Sequence, residues 1–163
     1  MKKFSSEDQV ALALWSIRCA ERVLPLFESV APQDSRPRAA LETGREWART
    51  LEFRMAVIRA ASLGAHGAAK DVQFDPPASF AARACGQAVA TAHVAQHAYG
   101  GAYYALKALA SSTAQGQRKL IDEERAWQSD ELPAHLRDEI MSRLNVEDRP
   151  KGIFVSLRKG PDF

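Results

Sequence analysis

At 163 residues, 46% hydrophobic and 26% charged, the chain has the length of one domain and the composition of a globular protein rather than a disordered one. A domain of this size buries about two-thirds of its unfolded surface and needs no metal or disulfide staple. Its net charge of +2 comes from well-mixed signs, which excludes the strong basic stripe of a nucleic-acid binder; only the tail, with Arg149, Lys151, Arg158 and Lys159 against Asp162, is mildly basic. Alanine is the outlier at 29 residues. It has the highest helix propensity and lets backbones approach closely, so thin, tightly packed helices are expected.

In chain order, Met1-Lys2-Lys3 is followed at once by Glu7 and Asp8, which interrupt any apolar leader. Ser5-x-x-Asp8, or equally Ser6-x-x-Gln9, is a capping-box pattern ahead of Val10, Leu14, Ile17 and Leu24 at helical spacing. Pro25 should kink or end that first helix. Ala31-Pro32-Gln33-Asp34-Ser35 reads as a loop, with Asp34 or Ser35 capping the next helix and Pro37 in its first turn. Helical signal then runs to about Lys70, with room for a break, and Leu51, Met55, Ile58, Ser62, Ala65 and Ala69 trace one face. Asp75-Pro76-Pro77 stops one helix and starts another.

Residues 78–111 form one long helix or two, depending on Gly100-Gly101. Residues 84–106 are 23 positions without a charge, yet Gln87, Thr91, His93, Gln96 and His97 would be costly in lipid. A buried central helix is the better account, so no membrane span is expected. Residues 111–116 read as a linker, residues 117–130 as a charged helix and residues 133–144 as a short one with Asn145 as C-cap. The fold expected is all-α: one domain of six or seven helices over residues 1–148, packed as a bundle or stacked hairpins. Residues 149–163 follow as an extended C-terminal tail, in which residues 153–157 suit an arm or a short strand.

The sharpest chemical pattern is His93-x-x-x-His97, which on a helix puts two imidazoles on one face at metal-ligand spacing. His66 on another helix would complete a three-histidine site, with Asp122, Glu123 or Glu124 as a carboxylate, able to activate a water for hydrolysis. The pattern lacks the inner Glu of zinc proteases, and hydrogen bonding across packed helices is the favoured account of these histidines. Asp122-Glu123-Glu124-Arg125 reads as a solvated face with one member buried against an Arg, for which Arg36 and Arg38 are candidates. Tyr99, Tyr103 and Tyr104 are expected in the core. Cys19 and Cys85 lack ligand spacing and read as buried reduced thiols. No phosphate-cradling glycine loop, GxSxG or Cys–His pair is present, so neither a cofactor nor a catalytic residue is implied.

Four strings in order carry a family resemblance. They are Ala13-Leu14-Trp15 with Cys19-Ala20-Glu21-Arg22-Val23-Leu24-Pro25-Leu26-Phe27-Glu28, then Arg36-Pro37-Arg38-Ala39-Ala40-Leu41-Glu42 running to Trp47-Ala48-Arg49. Next comes Gly86-Gln87-Ala88-Val89-Ala90-Thr91-Ala92-His93-Val94 through His97-Ala98 to Ala102-Tyr103-Tyr104-Ala105, and last Glu124-Arg125-Ala126-Trp127-Gln128 with Leu132-Pro133. Across roughly residues 9–137 the chain resembles the Imm-5-like putative immunity proteins, helical proteins of bacterial polymorphic toxin systems. The resemblance implies a cytoplasmic protein that binds and neutralises a cognate toxin by stoichiometric occlusion, and it transfers no active site. Trp47, Trp127, Arg36 and Phe154 are the candidate partner contacts, since interfaces favour aromatic and Arg anchors. A chain that is not acidic favours a toxin that is not strongly basic. The alternative is a metal-dependent, hydrolase-like helical protein built around His66, His93 and His97.

Overall fold

The computed structural model describes residues 4–113 and 117–160. The lysines at the N-terminus, residues 114–116 of the expected linker, and residues 161–163 with Asp162 lie outside the described residues. Among the described residues there are seven helices followed by one hairpin: α1 (Ser6–Glu28), α2 (Arg36–Thr50), α3 (Met55–Asp71), α4 (Pro76–Ala90), α5 (His97–Ser112), α6 (Gln117–Asp130), α7 (Ala134–Met141), β1 (Leu144–Arg149) and β2 (Gly152–Leu157). The all-α expectation holds.

The caps follow the local chemistry. Of the two possible boxes at the start of α1, Ser5 and Asp8 form the one used: the Asp8 N–H donates to Ser5 Oγ (3.0 Å) and the Ser5 N–H to Asp8 Oδ2 (3.4 Å). Asp75 Oδ1 accepts from the Ala78 N–H (3.0 Å), with Pro76 and Pro77 in the first turn of α4, where missing donors cost nothing. Pro25, by contrast, does not end α1. The helix continues to Glu28, and the Ser29 N–H still reaches the Pro25 carbonyl (3.0 Å), so the ring removes its own donor without stopping the last turn.

The charge-free middle of the chain supplies the centre of the fold. Helix α4 packs against α1, α2, α3 and α5, and Ala81, Ala82, Ala84, Cys85, Ala88 and Val89 are buried along it. Trp15, Phe27, Leu12, Ile17, Leu24, Leu41 and Tyr99 fill the surrounding core. The Trp15 indole N–H, fully buried, donates to the Gln128 carbonyl (2.8 Å) and ties α1 to α6. Both cysteines are buried and free.

The break between α4 and α5 falls at residues 91–96, not at Gly100-Gly101. There the bonding shortens to a three-residue span, with His93 N to Ala90 O (2.9 Å) and His97 N to Val94 O (3.0 Å). Gln9 Nε2 donates to the Thr91 and Ala92 carbonyls (2.8 and 3.1 Å) and fixes the turn from α1. The two glycines instead lie inside α5, where neighbours come close. A Cβ at Gly101 would fall on the Ser16 hydroxyl, and one at Gly100 would lie 2.7 Å from Gln87 Oε1. They are sites of close approach, and sequence alone cannot separate that role from a helix break.

Two further expectations are corrected. The face drawn from Leu51 to Ala69 is a core face only from Ile58 onward; Leu51 and Met55 are exposed. Asn145 does not cap a helix but lies in β1, which pairs antiparallel with β2 in the register Val146 to Val155. Pro150 and Lys151 form the two-residue turn, and Gly152 takes φ +118°, a conformation that favours glycine. Residues 152–157 of the expected tail are thus one strand of a hairpin. β2 lies on α5, with Val155 buried against Leu106 and Ile121. Gln117 stitches the junction: its amide donates to the Ala110 carbonyl and its Oε1 accepts from the Ile153 N–H (3.1 Å).

Candidate functional site

The α4–α5 turn changes the histidine pattern at its root. His93 sits in the turn and His97 begins α5, so the two are not on one continuous helix face. The His93 ring stacks on Phe53, with centroids 6.2 Å apart and 18° between planes. The Nδ1 of His97 lies 2.8 Å from Gln87 Oε1, where an amide oxygen calls for an N–H donated by the ring. His66 packs over Gly86, whose absent Cβ would stand 2.8 Å from its Nε2. Burial holds both His66 and His97 below the usual histidine pKa, with the charge of Arg83 adding to the effect at His66 and that of His93 at His97. Among the described residues no group of three His, Cys, Asp or Glu side chains is placed to hold a metal ion. The single helix face expected for His93 and His97 is therefore absent, because α4 stops at Ala90 and His97 begins α5.

The acidic run follows its sequence reading in having one buried member against an Arg and departs from it only in which Arg that is. Glu124 is the buried member at 3% exposure, and its partner is Arg22 (2.7 Å), not Arg36 or Arg38. Arg38 pairs with Glu28, while Arg36 bridges Asp34 and Asp71 (2.6 Å each) and joins the start of α2 to the end of α3. Arg22 also lies 4.1 Å from the centre of the Trp127 ring, a cation–π contact that half-covers that indole. Phe154 is 40% exposed on β2, with the Arg149 guanidinium 3.5 Å from its ring centre. Trp47 is 8% exposed and forms part of the core edge. Of the three aromatic candidates, Phe154 is the most exposed, with Arg149 lying over its ring.

Two of the surface clefts among the described residues adjoin the candidate contacts. The larger, about 680 Å³, lies between the start of α5 and β2, and Gln87, His97, Gly100, Tyr103, Tyr104 and Lys159 contribute to it. Tyr99 is buried as expected, but Tyr103 and Tyr104 are only half-buried and wall this cleft, with ring centres 4.9 Å apart. The second, about 430 Å³, lies between α2 and α3 over Trp47 and Ile58, with Val57 on its wall and Glu42, Glu46 and Glu52 among the carboxylates around it. Beside it the chain exposes Leu51, Phe53, Met55 and Val57, each between 44 and 62% accessible. Sequence reasoning missed this surface because Leu51 and Met55 keep helical spacing with true core residues. The available signal was Arg54 between Phe53 and Met55, which breaks the apolar run where the helix breaks.

Residues 2–135 match the protein family described as Imm-5 like putative immunity protein. The chain belongs to that family. The match takes in α1 to α6 and ends at the start of α7, so the β1–β2 hairpin lies beyond it, while the α2–α3 cleft lies wholly within it. No curated protein and no solved structure matches the chain. No helix among the described residues is long and apolar enough to cross a membrane.

Proposed function

We propose that this immunity-family protein binds a cognate bacterial toxin in the cytoplasm of the producing cell and neutralises it by stoichiometric occlusion. The family match over residues 2–135 is the observation that carries the reading. Its surface chemistry supports it. Large apolar side chains stand exposed beside a cleft, as expected of a protein-binding face, and soluble monomers seldom gather such residues otherwise. The near-balanced charge favours a toxin that is not strongly basic, since long-range steering by this chain would be weak. The metal-dependent reading would need His66, His93 and His97 to converge on one ion, and their separate partners give it no support.

Co-expression with the product of the adjacent gene tests the proposal. The expected result is rescue of host growth from a toxic neighbour and recovery of a one-to-one complex on size exclusion. A toxin that stays fully active with this protein in excess, and no complex at micromolar concentrations, would overturn it.

A further inference from the structure

Helix α2 ends on Leu51, the single non-glycine residue with positive φ among those described (φ 58°, ψ 13°), and its N–H caps the Trp47 carbonyl (2.7 Å). This left-handed cap position is usually glycine or asparagine, because a Cβ there crowds the following carbonyl. A leucine in that conformation, 62% exposed, gains little from burial in return. Neither local backbone energy nor the core accounts for it. Its neighbours Phe53, Met55 and Val57 follow within six residues and are 45, 44 and 48% exposed, even with the Phe53 ring stacked on His93.

Charge on this surface is nearly all internally matched. Arg49 pairs with Glu46 (2.7 Å), Arg54 with Glu52 (3.5 Å), and Arg45 with Glu21. Glu42, exposed on the lip of the α2–α3 cleft, is the exception among the carboxylates there and has no ion pair among the described residues. The floor beneath it is apolar, from Trp47 and Ile58. The cleft therefore offers a hydrophobic seat with one uncompensated negative charge at its edge.

From this we infer that the α2–α3 edge, from Glu42 to Ile58, is the toxin-docking surface of this protein. It receives an apolar side chain of the toxin over Trp47 and an adjacent toxin Lys or Arg at Glu42. The inference rests on the immunity reading and deepens it by naming the face and the chemistry of its partner. Trp47 thus acts as the seat for a partner's anchor, not as the anchor itself. Leu51, held outward by its left-handed cap, belongs to the apolar rim that excludes water from the contact. The surface lies wholly inside the family-matched residues, whereas the α5–β2 cleft depends on a strand beyond them.

The test is binding of the full-length protein and its variants to the purified toxin, alongside growth rescue and thermal melting. Val57→Glu should weaken binding by about 100-fold or more, since it buries a charge at the contact. Glu42→Lys should weaken it about tenfold, mostly through slower association and more at low salt than at high. Leu51→Gly should weaken binding while leaving the melting temperature unchanged or higher, a combination that mere damage to the fold cannot produce. Leu63→Glu and Phe74→Ser, at exposed apolar residues elsewhere, should bind like the parent. Undiminished binding by Val57→Glu and Glu42→Lys, with the parent protein still protective, would overturn this docking surface and leave the immunity reading standing. A parent protein that neither binds nor protects would overturn both. A concentration-dependent dimer of the parent that Val57→Glu converts to monomer would assign the face to a second copy and overturn the toxin assignment.

Discussion

The centre of the molecule and its α2–α3 edge use side chains in opposite ways. Helix α4, enclosed by four other helices, is built largely from alanine, while leucine, phenylalanine, methionine and valine stand in the open at residues 51–57. Usual burial preferences would place the large apolar residues inside. The centre departs from that because small residues let helix backbones approach, so stability there comes from closeness of packing. The edge departs because its apolar residues stay largely open to solvent, with Phe53 stacked on His93 but Leu51, Met55 and Val57 outside the core. Intolerance of change therefore belongs to the centre, and tolerance of it to the edge.

That contrast can be broken at several points. Trp15→Ala strikes the centre hardest: it removes a fully buried indole and its bond to the Gln128 carbonyl, and should cost about 3–5 kcal/mol in urea unfolding. A loss below about 1 kcal/mol would mean the core is far looser than its burial implies. Gly101→Ala, a single added methyl, should still cost about 1–3 kcal/mol, because the new Cβ displaces the Ser16 hydroxyl from its bond to the Ala98 carbonyl (3.2 Å). If the variant melts like the parent, α1 and α5 are not in the close contact described.

The histidines supply a smaller, pH-dependent effect. Burial lowers the folded-state pKa of His66 and His97 below that of a free histidine, so the unfolded chain takes up protons first as pH falls. Stability should be level above neutrality and decline as pH drops through about 6.5 towards the lowered values. A double His66→Gln, His97→Gln variant should flatten that slope in melting curves from pH 8 to 5.5, and an unchanged slope would place its origin elsewhere. Smallest is Leu51→Gly at the edge. Relief of the left-handed leucine should stabilise by up to about 1 kcal/mol, raising Tm by about 2–4 °C. A clear fall in Tm would show that Leu51 packs against something the core needs.

Much of the fold was legible because it is written in local signals. The Ser5 and Asp75 caps, the Pro76-Pro77 start and the bounds of the charged helix at residues 117–130 all depend on side chains that act within a turn of their own position. The centrality of residues 84–106 was legible from missing charge. The candidate sites were less so. A histidine pair at spacing four suggests one face only if the helix is continuous, and continuity was decided by Gln9, eighty-two residues away, bonding the Thr91 carbonyl. The partner of Glu124 was one of several arginines of equal standing in sequence, and only the packing of α1 against α6 selected Arg22.

By itself, then, the sequence determined an alanine-rich helical protein of this immunity family, with its caps, its uncharged centre and its buried thiols. Tertiary structure alone decided which glycines are contacts and which bend the chain, which arginine meets the buried carboxylate, and which apolar residues remain outside. Propensity and capping act over one turn of chain, whereas a salt bridge across helices or an uncovered leucine is defined by what other segments bring near it.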